Sequence, residues 1–179
     1  MPTNPTLQFA RHATLALGLS AAFTAGAQTL PAGCDELPAG TYPIRYDVSF
    51  EADIRPLLES EEQRCTVCHG SSGNLSLGFA NAHANLLGAQ ERGVASAGDA
   101  SANPILRVRP REPLASSLFL KLNCATPPFG GRMPLGLSPS PELQALVHDW
   151  IASGALMPDS PGGVRLFIGS FESIRRPSP

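Results

Sequence analysis

Apolar residues recur at helical spacing in a few short stretches, with polar, Gly- and Pro-rich runs between them. The clearest stretch lies late in the chain. Leu143, Leu146, Val147, Trp150 and Ile151 fall at i, i+3, i+4, i+7 and i+8, the stripe of a half-buried helix. Ser140 offers a side-chain acceptor at the N-cap, Pro141 suits the first helical position, and Glu142 lies near the positive end of the helix dipole. Gly154 is placed to end the helix. Earlier, Ile54, Leu57 and Leu58 share one face and predict a helix from Ala52 towards Glu62, with Pro56 in its first turn or at a kink. Shorter helices are predicted over Ala80–Leu87, ending at Gly88, and over Ser116–Leu122, with Leu118 and Leu122 on one side. Val164, Leu166 and Ile168 alternate as in a short strand. Residues 70–78, 88–104 and 123–139 read as loop.

Composition sharpens this picture. Gly (17) and Pro (18) make up about a fifth of the 179 residues, so much of the chain is expected to be irregular. Aromatic residues are only 6%, a lean core that a large flat cofactor would help to fill. The N-terminus carries Arg11 and His12, then an uncharged apolar stretch Ala13–Ala25, then Ala25-Gly26-Ala27. That is the order of a secretory signal, with cleavage expected before Gln28. The stretch is too short for a good membrane span, so no transmembrane segment is expected after cleavage.

The expected organisation is a cleaved signal peptide over 1–27, an N-terminal strap over 28–47 and a helical domain over 48–158. A Pro/Gly linker, short strand and disordered tail follow over 159–179. Cleavage removes one basic residue, Arg11, and leaves 12 basic against 15 acidic, a formal charge of −3. No basic patch suggests nucleic acid. A periplasmic or secreted location is expected.

The chemistry centres on Cys65-Thr66-Val67-Cys68-His69, the attachment pattern for c-type haem. Two thiols three residues apart can reach the vinyl groups on one side of a porphyrin, and the adjacent His supplies the proximal nitrogen ligand. Two other readings compete. A redox dithiol usually accompanies a βαβ pattern, which is absent; a zinc site could draw on all four cysteines. If haem takes Cys65 and Cys68, then Cys34 and Cys124 remain, and in an oxidising compartment they are expected to pair as a disulfide. Lipid modification of Cys34 is the rival, because Leu30–Cys34 loosely resembles a lipobox with Leu30 one residue too early.

The distal side is open between Met133, Met157, His83, His148 and no ligand at all. Met133 is favoured: it stands 64 residues beyond His69, after the flexible Gly130-Gly131 and before Pro134. Met157 reads as a packing residue, and His148 as a surface residue beside Asp149. Arg107, Arg109, Arg111 and Arg132 are candidate partners for haem propionates, because guanidinium binds carboxylate in bidentate fashion.

These residues together resemble a class I-like bacterial c-type cytochrome, and more closely the cytochrome c domain first described in planctomycete proteins. The resemblance rests on Cys65–Gly70, Ser117–Leu122, Arg132-Met133-Pro134 and Trp150–Ala155, and spans about residues 48–157. It implies a small all-α fold of three to five helices around one covalent haem c, with long Pro/Gly-rich loops. It also implies coordination of the iron by His69 and Met133. It does not account for the long segment between Gly88 and Pro113.

The expected function is one-electron transfer between a protein donor and a protein acceptor, without catalysis of its own. The alternatives are a haem subunit of a larger oxidoreductase or a haem-based ligand sensor. A two-haem peroxidase is disfavoured, because no second Cys-x-x-Cys-His exists.

Overall fold

Five short α-helices carry the described part of the chain: α1 Arg55–Glu59, α2 Cys65–Cys68, α3 Ala82–Leu87, α4 Ser117–Asn123 and α5 Pro141–Ala152. Among the described residues there is no sheet, only isolated bridging pairs, so the fold is all-α. The structure is a computed structural model, and it describes residues 30–38, 40–78 and 81–155. The expected signal peptide, Met157 and the predicted strand near Val164 lie outside the described residues.

α5 forms where the apolar stripe predicts it. The Ser140 hydroxyl accepts the Leu143 N–H at 3.1 Å, and Pro141 opens the helix. Leu143, Val147, Trp150 and Ile151 are all fully buried, each contributing roughly 1.5–3 kcal/mol. Trp150 meets Phe50 with ring centroids 5.1 Å apart, and His83 from α3 packs edge-on against both rings.

The helix expected to begin at Ala52 begins earlier, as a wide π-helical turn over Phe50–Ile54 that leads directly into α1. The turn has local causes. Ser49 Oγ accepts the Ala52 N–H, and Asp53 accepts the Ser49 N–H at 2.7 Å and Arg45 Nη1 at 2.8 Å. Pro56 sits in the first turn of α1, so the residue that lacks an N–H falls where the wide turn passes into that helix.

One expectation about α5 is corrected. His148 is not a surface residue; it is wholly buried, 5.4 Å from the Phe119 ring, with Nδ1 3.0 Å from Asp149. α4 covers the flank of α5 that a single helical stripe leaves to solvent. Asp149 is buried as well, and it accepts the Arg45 backbone N–H at 2.8 Å, which ties the strap to α5.

The segment between Gly88 and Pro113 is not loose. It folds back on itself and onto the start of α4 through Ala95–Leu106 and Leu106–Ser116 bridges. Gly93 makes the turn possible: its φ is +97°, and a Cβ there would run into the Val108 carbonyl.

The strap is fixed at Cys34, which is disulfide-bonded to Cys124 at the end of α4. Asp35 N–H donates to Asn123 O at 3.0 Å and Ala125 N–H to Gly33 O at 2.8 Å. The Asn123 side-chain amide then reaches both Asp35 O and Gln144 Oε1, joining strap, α4 and α5. No helix among the described residues is long and apolar enough to cross a membrane.

Candidate functional site

A cavity of about 340 Å³ opens between α2, the back-folded 93–108 segment, α4 and the loop that follows it. Its lining is mostly apolar and includes Leu58, Leu75, Leu77, Leu86, Leu118 and Leu122. Cys65, His69 and Met133 all border it, so residues 64 apart in sequence meet at one apolar space.

α2 builds the first side. Its four residues are Cys65-Thr66-Val67-Cys68, so both thiols leave one helical turn, and His69 follows at the C-cap with its N–H on Cys65 O at 2.9 Å. Both thiols are free, Cys65 half-buried and Cys68 exposed. Burial pushes the Cys65 thiol up to about 11, which keeps it protonated at neutral pH. His69 Nδ1 lies 2.9 Å from the Ser72 carbonyl. A carbonyl can only accept, so Nδ1 carries the proton and Nε2 keeps its lone pair for a ligand role.

α4 and its following loop build the second side. Met133 is half-buried and packs against the core, with its N–H on Lys121 O at 2.8 Å. The Lys121 ammonium donates to Phe129 O at 2.9 Å and Gly131 O at 3.1 Å and lies over the Phe129 ring. Arg132 turns away to an ion pair with Asp35 and a 3.0 Å bond to Leu122 O, and it is not among the residues lining the cavity.

The 93–108 segment supplies the third side through Ser96, Ala97, Gly98 and Arg107. Ser96 and Ser117 share a buried hydroxyl–hydroxyl hydrogen bond at 2.7 Å. Arg107 is 8% exposed, and its guanidinium donates to Asn85 O and Asn74 O, both at 2.6 Å. Among the described residues no carboxylate pairs with it. Burial lowers its pKa, yet a guanidinium does not give up its proton in a protein. A buried cation facing a cavity without a counter-ion favours an anionic group inside.

The sequence candidates therefore separate. Cys65, His69, Met133 and Arg107 converge on the cavity; Cys68 is beside it on α2 and points to no lining role of its own. Arg109 is exposed and paired with Glu112 at 3.0 Å. His83 borders no part of the cavity; its Nε2 is 3.0 Å from Ala155 O in the aromatic cluster. The zinc reading loses two of its four sulfurs to the Cys34–Cys124 disulfide, and among the described residues no group of three metal-ligating side chains exists. Sequence reasoning did not single out Ser96, Gly98 or Lys121 as site residues. Only Lys121 left a trace, as the Lys of the Ser117–Leu122 segment.

No family model and no curated protein matches the chain. Among solved structures, a chain of Kuenenia stuttgartiensis hydrazine synthase aligns with a TM-score of 0.40 and 21% identity. The alignment covers 64% of this chain and 17% of that one. At that score the likeness carries no weight for fold or function.

Proposed function

We propose that the protein is an exported mono-haem c-type cytochrome that carries single electrons between redox partners. The observation that carries this reading is the meeting of Cys65, His69 and Met133 at one apolar cavity. The cavity volume is within the range of about 300–1,000 Å³ usual for small-molecule and cofactor sites.

The donor set suits haem c: two free thiols on one helical turn, an imidazole with Nε2 available, and a thioether. When bound, a haem supplies one-electron iron chemistry. Cys65 and Cys68 would tether it, His69 and Met133 would ligate its iron, and a thioether on one side raises the reduction potential relative to two nitrogen ligands. A filled ligand set leaves no position for substrate, which favours electron transfer over catalysis. Leu135 borders the cavity and is 70% exposed, so the mouth is apolar and reachable by a partner. A disulfide at Cys34–Cys124 accords with export to the periplasm or medium.

Arg107 takes the carboxylate-binding role in this proposal, since the Arg132 guanidinium is engaged by Asp35. Arg107→Gln is expected to bring a propionate into titration in the acid-to-neutral range, because the cation that holds it ionised is gone. The reduction potential of the variant then becomes pH-dependent where that of the wild type is flat. A flat profile in both proteins would remove Arg107 from this role.

The deciding experiment is the absorption spectrum of mature protein with a pyridine haemochrome assay. One haem c per chain is expected, resistant to acid–acetone extraction. Met133→Ala is expected to lose the ferric methionine–iron charge-transfer band. Its potential should fall by on the order of 100 mV, at 59 mV per tenfold change for one electron. Colourless mature protein sinks the proposal. Rapid, complete carbon monoxide binding by the wild type turns it into a ligand sensor.

A further inference from the structure

The loop that presents Met133 has little packing of its own. Gly130, Gly131 and Leu135 are exposed, and Phe129 and Met133 are only half-buried. A short loop with so little buried surface is held in one arrangement only if specific bonds select it. Two of those bonds come from one side chain. Lys121 leaves α4, and its Nζ donates to Phe129 O at 2.9 Å and Gly131 O at 3.1 Å. The same ammonium lies 4.5 Å from the centroid of the Phe129 ring. The Lys121 backbone carbonyl accepts the Met133 N–H at 2.8 Å. Lys121 also borders the cavity.

We infer that Lys121 is the positioning residue for Met133: its ammonium clasps the loop on both sides of Gly130 and fixes where the thioether stands. The inference rests on the haem reading for its ligand role, and on geometry alone for the clasp. Gly130 supports it independently. It has φ +58°, and a Cβ at that position would lie 3.2 Å from Lys121 Nζ. The loop thus passes the ammonium so closely that glycine suits the position on both counts.

Neighbouring groups do not duplicate this arrangement. Arg132 is the other anchor, but it holds the loop to the strap through Asp35 and to Leu122 O, not to the Phe129–Gly131 carbonyls. No carboxylate pairs with Lys121 among the described residues, so its charge serves carbonyl dipoles and an aromatic face. Arginine can donate to two carbonyls and stack on a ring, whereas leucine keeps apolar bulk, loses both donors and adds no iron ligand.

The test uses mature full-length protein bearing Lys121→Leu, Lys121→Arg and Gly130→Ala, with Arg109→Gln as an exposed control. With haem c attached, Lys121→Leu should lose most of the ferric methionine–iron band. Its ferrous form should bind carbon monoxide at least about tenfold faster, because two charge-assisted bonds no longer oppose loop opening. Lys121→Arg should keep both readouts, and Gly130→Ala should move them in the direction of Lys121→Leu. A residue that only supports the fold would lower the unfolding temperature and leave the band intact. An unaltered band and carbon monoxide rate in Lys121→Leu overturn the inference.

Hydrogen exchange separates this result from failure of the haem reading. If mature wild-type protein holds no haem, the Met133 amide should still exchange at least about tenfold faster in Lys121→Leu. Unchanged exchange there overturns the clasp itself.

Discussion

Serine at both Cys65 and Cys68 is expected to abolish covalent haem attachment altogether. Both thiols are free, they sit one helical turn apart on α2, and Cys65 borders the cavity beside His69. Without the thioether links, any porphyrin held by His69 and Met133 becomes exchangeable. Haem staining of a denaturing gel should fall from full to background, and acid–acetone should strip whatever colour remains. The single variants order the contributions. Cys65→Ser also replaces a half-buried thiol whose burial keeps it protonated, so it is expected to cost more folded protein than Cys68→Ser at the exposed position. A double variant that kept haem through denaturation would contradict attachment at these residues.

Breaking the Cys34–Cys124 disulfide is expected to produce the largest loss of stability. The bond closes a loop of sequence separation 90, worth about 4–5 kcal/mol in the chain-entropy limit. A matched loss in Cys34→Ser/Cys124→Ser corresponds to a fall in unfolding temperature on the order of 10 °C for a domain of this size. The effect should extend beyond stability. Asp35 lies next to Cys34 and pairs with Arg132, and the Asp35 N–H bonds Asn123 O. Releasing the strap therefore loosens one of the two anchors of the Met133 loop. The methionine–iron band should weaken at temperatures where the rest of the fold persists. Calorimetry with and without reductant, alongside that band, measures both. An unchanged unfolding temperature would show that the disulfide contributes nothing to stability.

The chain itself made several features readable. α5 was legible to its cap, because Ser140, Pro141 and a five-residue stripe each state the same helix by local rules. The Cys34–Cys124 pair followed from parity and compartment. His148 was misread because a helical stripe reports only the face that one partner covers, and α4 covers a second. Residues 88–104 read as loop because the order of this segment comes from non-local bridges and from backbone hydrogen bonds between its continuation and α4, which leave no periodic signature.

The arginines mark the same division. By residue type both Arg107 and Arg132 are candidate anion partners, and their order in the chain favours Arg132, which stands beside Met133. Burial and neighbours point the other way: Arg132 has Asp35, while Arg107 borders the cavity and, among the described residues, donates to the Asn85 and Asn74 carbonyls without a carboxylate partner.

By itself the sequence displayed the Cys65–His69 motif, the Cys34–Cys124 pairing, the terminal helix and the candidate methionine, since each depends on residues adjacent in the chain or on simple counting. Tertiary structure alone decided that His69, Met133 and Arg107 border one cavity, and that the Lys121 ammonium meets the Phe129 and Gly131 carbonyls just before Met133. Convergence of that kind is a property of chain folding over tens of residues, where packing and unpaired charge choose among side chains that local chemistry leaves equal.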